Sequence, residues 1–79
     1  MREKTLKQVV TFATTSDAMA MEAAAREFGI PGRVIPVPSE ISAGCGLSWC
    51  AGIDEKEALL AGIEKHSLSY EGFFEVLMY

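Results

Sequence analysis

Apolar and polar positions alternate with two different periods along this chain, and the places where the period changes divide it into six segments. Leu6 to Thr14 carries Val9, Val10 and Phe12 among threonines, the β-branched and aromatic composition of a strand. From Asp17 to Phe28 the spacing lengthens, and Ala18, Met21, Ala25 and Phe28 fall on one face of a helix. Thr14, Thr15 and Ser16 offer N-caps to that helix, and Asp17 suits the positive end of its dipole. Gly29 closes it and Pro31 prevents its continuation. Arg33 to Val37 returns to a short strand; Pro36 and Pro38 place it at a sheet edge, because neither can donate to a ladder. Leu47 to Ala51 reads as a third strand. Asp54 and Glu57 resemble a capping box opening a helix to about His66, with Leu59, Leu60 and Ile63 inward. Gly72 to Tyr79 alternates Phe74, Val76 and Met78 against Phe73, Leu77 and Tyr79, a strand with apolar residues on both faces.

The resulting string is βαββαβ, which predicts an α+β, ferredoxin-like split-βαβ sandwich. Two right-handed crossovers place both helices on one face of a four-stranded antiparallel sheet, with the second and fourth strands at its edges. The other face lies open unless another chain covers it. Phe73, Leu77 and Tyr79, or their alternates, supply apolar surface there, which points to a homodimer.

Length and charge narrow the classes. The chain has 79 residues, which we expect to form one domain, 1–79, near the lower size limit for a self-sufficient core. A net charge of −4 argues against nucleic acid, which needs a basic stripe, and against binding to anionic membranes. No apolar run approaches the ~20 residues of a bilayer span, and the polar start Met1 to Thr5 lacks the apolar stretch of a signal peptide. These features predict a cytoplasmic protein whose 2 cysteines are reduced at rest.

The densest chemical signal is Gly44-Cys45-Gly46, which follows Pro36 to Ala43. Two flanking glycines remove the side chains that would shield a thiol and allow a tight turn. The expected topology brings this loop to the end of the sheet where the first helix begins. Cys45 is then expected beside Thr14, Thr15 and Ser16 and the bare amides that follow them. Such amides lower a thiol pKa and hold anions. The competing readings are a hairpin turn with an incidental cysteine, and hydroxyls that serve only as caps.

Cys50 is a weaker candidate for a second thiol. Five positions along an extended strand separate it from Cys45 by about 16 Å, whereas a disulfide needs Cα atoms within about 7 Å. A core or sheet-face role for Cys50 is the leading alternative. Cys45, Cys50 and His66 make at most three metal ligands, short of a zinc site, so no metal is expected. No cofactor motif is present either. The topology is expected to direct His66 toward the Cys45 end, where it would pair with the thiolate; a last-turn histidine more commonly complements the helix dipole. Trp49 shares strand parity with Leu47 and is expected in the core.

Thr14-Thr15-Ser16-Asp17-Ala18, Phe28-Gly29-Ile30-Pro31, Arg33-Val34-Ile35-Pro36 and above all Ile41-Ser42-Ala43-Gly44-Cys45-Gly46-Leu47 together resemble the selenium/sulfur carrier protein-like family of small bacterial domains. The resemblance runs from about Val9 to the C-terminus. It implies a carrier of activated sulfur or selenium rather than an independent enzyme, with Cys45 as acceptor and Gly44 and Gly46 as its frame. A donor such as a cysteine desulfurase is the implied partner. One departure stands out: the family often carries a basic residue where this chain has Cys50. Two other classes remain open, a redox-regulatory thiol protein in which Cys50 resolves oxidised Cys45, and a dimeric interaction module without chemistry at sulfur.

Overall fold

A computed structural model describes residues 4–38, 41 and 46–78. Its elements are β1 (Thr5–Thr11), α1 (Thr15–Phe28), β2 (Arg33–Pro36), β3 (Leu47–Gly52), a 3-10 turn (Ile53–Glu55), α2 (Lys56–Lys65) and β4 (Gly72–Met78). The four strands form one open antiparallel sheet in the order β2-β3-β1-β4, the ferredoxin-like arrangement, with β2 and β4 at the edges. Pro36 therefore sits on an edge strand, where its missing N–H is tolerated.

Successive side chains of a strand alternate between faces, and the register assigns each residue to one of them. Val10, Trp49 and Ala51 point toward the helices and join Phe12, Ala18, Met21, Leu59 and Ile63 in the core. Phe73, opposite Val10, packs against the same cluster. Val9, Cys50, Phe74 and Val76 lie on the reverse face. The alternates on β4, rather than Phe73, thus supply the apolar surface of the open side, and Phe74 is exposed. Tyr79 lies outside the described residues. Gln8 is buried on the helix side, where its Nε2 donates to the Phe74 carbonyl at 2.8 Å and ties β1 to β4 beyond the ladder.

Helix boundaries follow local chemistry. Thr14 is the N-cap of α1, and its Oγ1 accepts from the Asp17 amide at 3.1 Å. Gly29 ends the helix in the left-handed region (φ 73), with its N–H bonded to the Ala25 carbonyl. The second helix opens differently from the expected Asp54–Glu57 pair. The Gly52 amide donates to Glu55 Oε1 at 3.1 Å, because a 3-10 turn intervenes and moves the reciprocal contact to the end of β3. Among the described residues no helix is long and apolar enough to cross a membrane.

Gly32 decides how α1 is joined to the sheet. It adopts φ +113, and a Cβ there would lie 2.3 Å from Trp49 Nε1 and 2.6 Å from the Cys50 carbonyl oxygen. Only glycine lets the chain pass this close to the indole, whose Nε1 donates to the Pro31 carbonyl at 2.9 Å. That bond satisfies the polar edge of a ring that is otherwise core.

Candidate functional site

The sequence points to the connection between β2 and β3. Pro36 pairs with Leu47, and the Val37 amide donates to the Gly46 carbonyl at 3.0 Å, extending the hairpin by one step. Gly46 has φ +76, and a side chain there would meet open space; its glycine serves backbone shape rather than clearance. Ile41 N–H bonds the Pro38 carbonyl at 3.0 Å. Gly44 and Cys45 lie outside the described residues.

Register places this connection at one end of the sheet. Ser48 pairs with Thr11, the last residue of β1, and Thr14 follows three positions later. Gly46, the chain neighbour of Cys45, and Thr14, Thr15 and Ser16 therefore share the end of the sheet from which α1 departs. All three hydroxyl residues are exposed. The Thr14 hydroxyl is engaged as the helix cap, and the Ala18 amide bonds the Thr14 carbonyl at 3.3 Å. The amides of Thr15 and Ser16 have no partner among the described residues. They are the donors an anion at this end would meet.

His66 does not belong to that end. Its ring stacks on Phe28 with centroids 3.9 Å apart and planes within 10°. Phe28 is the last residue of the 14-residue α1, so His66 sits about 20 Å along the helix axis from Thr14 at ~1.5 Å per residue. Where α2 was expected to bring His66 toward the Cys45 end, the structure sets it by the C-terminus of α1, away from Thr14. The physical cause is the way α2 crosses the sheet: Ile30 packs directly on Gly62, where a Cβ would come within 2.7 Å, and this draws the C-terminal end of α2 to the C-terminal end of α1.

Cys50 is a free, buried thiol in the middle of β3. It lies between Val9 of β1 and Arg33 of β2 on the face away from the helices. Burial pushes its pKa above the ordinary thiol value, and the nearby positive charges of Lys7 and Arg33 oppose this to a lesser degree. Arg33 stands opposite Cys50 across the β2–β3 ladder, a proximity not among the expectations above. The signal was available, because an antiparallel hairpin that pairs Pro36 with Leu47 must pair Arg33 with Cys50. No metal-binding cluster occurs among the described residues.

Comparison with known proteins adds one finding. The family model described as "Putative Se/S carrier protein-like" matches residues 7–75. No curated protein and no solved structure matches the chain.

Proposed function

The chain belongs to the Se/S carrier protein-like family, and from that premise we propose that it is a thiol carrier in which Cys45 accepts a terminal sulfur or selenium atom from a donor protein. The Cys45 thiolate attacks the outer sulfur of a donor persulfide. A new S–S bond forms at Cys45, the donor's own S–S bond breaks, and the donor sulfur leaves as a thiolate with the electron pair. The product is a persulfide on Cys45, which a recipient removes by the same step in reverse sense. Selenium would travel as the corresponding selenosulfide.

The observation that carries this reading is the shared sheet end of Gly46 and the α1 N-terminus. A persulfide is more acidic than a thiol and is held best as an anion, which the amides of Thr15 and Ser16, without a partner among the described residues, favour. Gly46, with φ +76, gives the chain its turn immediately after Cys45. The chemistry asks for no acid–base pair, and the placement of His66 on Phe28 accords with that. A cysteine desulfurase is the donor class that supplies such a persulfide, in the cytoplasm, and the β4 side of the open sheet face, where Phe74 is exposed, is the surface through which two copies would pair, leaving the β2–β3 side of that face clear.

Alkylation tests the reading. The rate of iodoacetamide reaction at Cys45, followed against pH and separated from Cys50 by peptide mass mapping, is expected to show a midpoint below that of a free thiol. A Cys45 with an ordinary midpoint, or one that does not react in the folded protein, would refute the carrier mechanism as written.

A further inference from the structure

A cleft lies toward the end of β3 opposite to Gly46. It encloses about 400 Å³ between Lys7, Gly32, Arg33, Cys50, Gly52 and Glu55, within the volume range of small-molecule sites, roughly 300–1,000 Å³. Arg33 stands directly across the β2–β3 ladder from Cys50, and Lys7 is two residues from its β1 partner Val9. All three side chains therefore project from the same sheet face. The two cations bracket the thiol from either side.

Their charge is not spent on protein carboxylates. Among the described residues the ion pairs are Arg26 with Glu22 and Lys56 with Glu75, and neither Lys7 nor Arg33 takes part in one. Glu55, the acidic group of the cleft, has one carboxylate oxygen occupied by the Gly52 amide. The cleft thus holds two cations without an ion pair among the described residues, on a chain of net charge −4. It gives this patch a sign opposite to the protein as a whole, and local fields of this kind concentrate ligands of opposite charge.

We propose that Lys7, Arg33 and Cys50 form a second thiol site, separate from the Cys45 loop, that recognises small carboxylate-bearing disulfides and accepts one half of them as a mixed disulfide. The carboxylates meet Lys7 and Arg33, which sets one sulfur of the ligand over Cys50. The Cys50 thiol gives its proton to solvent, and the thiolate attacks that sulfur. One S–S bond forms at Cys50, the ligand's S–S bond breaks, and the other half departs as a thiolate with the electron pair. The ligand is the oxidant, so nothing further is required. Burial keeps the thiol protonated at rest, and the thiolate that reacts is the form the two cations stabilise.

The test uses the full chain with Cys45→Ser, which leaves Cys50 as its single cysteine. Two chromophoric reagents are compared, the dianionic dithiobis(nitrobenzoate) and the neutral dithiodipyridine. The ratio of their second-order rate constants in the folded protein is divided by the same ratio in the urea-unfolded chain. We expect a normalised preference of about tenfold or more for the anionic reagent, lost in Arg33→Gln and in Lys7→Gln. Should either variant fail to fold, raising salt to about 1 M on the Cys45→Ser chain must erase the preference, because exposed charges are then screened within about 3 Å. A normalised ratio near or below one, a preference insensitive to salt, or a Cys50 that reacts with neither reagent overturns the proposal. The outcome is independent of the carrier reading, since Cys45 is absent from the experiment.

Discussion

Replacing Gly32 with alanine is the sharpest test of how the fold is assembled. The residue sits at φ +113, and a Cβ there would come within 2.3 Å of Trp49 Nε1, 2.6 Å of the Cys50 carbonyl and 3.1 Å of Trp49 Cδ1. The carbonyl belongs to the β3 backbone and cannot retreat without disturbing the Arg33–Cys50 pairing. The indole must therefore move, and its bond to the Pro31 carbonyl breaks. A left-handed backbone costs a non-glycine residue roughly 1–2 kcal/mol, the lost hydrogen bond about 1 kcal/mol, and shifting a buried ring another 1 kcal/mol or more, on the order of an overpacked core. The sum is about 3–4 kcal/mol. Total stability expected for 79 residues is about 4–12 kcal/mol, so the loss is a large share of it. Thermal unfolding followed by Trp49 emission, the single tryptophan, reads this directly. The midpoint temperature should fall by at least about 12 °C at 4–8 °C per kcal/mol, with folded-state emission shifted to the red. Gly29→Ala is the control. It has φ +73 but nothing within 4 Å of a Cβ, so it should lose only the backbone part, about 1–2 kcal/mol. Equal losses in the two variants would refute the steric argument.

Other expectations are simpler. Thr14→Ala removes the cap of α1 and should cost about 1 kcal/mol in thermal unfolding, while Thr14→Ser should retain most of it. His66→Ala should cost about 1 kcal/mol through the stack on Phe28, yet leave the alkylation rate of Cys45 unchanged; a slowed Cys45 would contradict its placement at the far end of α1. Because burial raises the Cys50 pKa in the folded state, the unfolded chain ionises first as pH rises past the ordinary value of 9.0. The contribution is fully present below that value and lost above it. Cys50→Ala should therefore show a shallower decline of stability above pH 9.0 than the parent chain in parallel denaturant titrations.

Local features were legible from residues alone wherever the determining chemistry is local. Gly29 and Pro31 stop α1 by backbone geometry, and Val9, Val10 and Phe12 mark β1 by composition, so the order of elements and the sheet topology could be read directly. The position of His66 could not. It depends on the packing of Ile30 against Gly62, a contact between segments more than thirty positions apart that carries no periodic signal. The start of α2 was misplaced for a related reason: Glu55 caps the Gly52 amide from within a 3-10 turn, and the Asp54–Glu57 spacing imitates a capping box just beyond it. The Cys50 cleft is an intermediate case. Its three residues are scattered in sequence, but two strand registers are enough to assemble them. As for the carrier loop, Gly44-Cys45-Gly46 is visible in sequence, and what the fold adds is the helix N-terminus at the same end as Gly46.

The most direct measurement is sulfur transfer itself. The chain is incubated with a cysteine desulfurase and free cysteine, then digested under conditions that preserve persulfides, and the peptides holding Cys45 and Cys50 are weighed separately. The account predicts the mass gain of one sulfur atom on the Cys45 peptide, its absence in Cys45→Ser, and its release when an acceptor thiol is added. Sulfur found on Cys50 alone, or on neither cysteine while the desulfurase turns over, would contradict it.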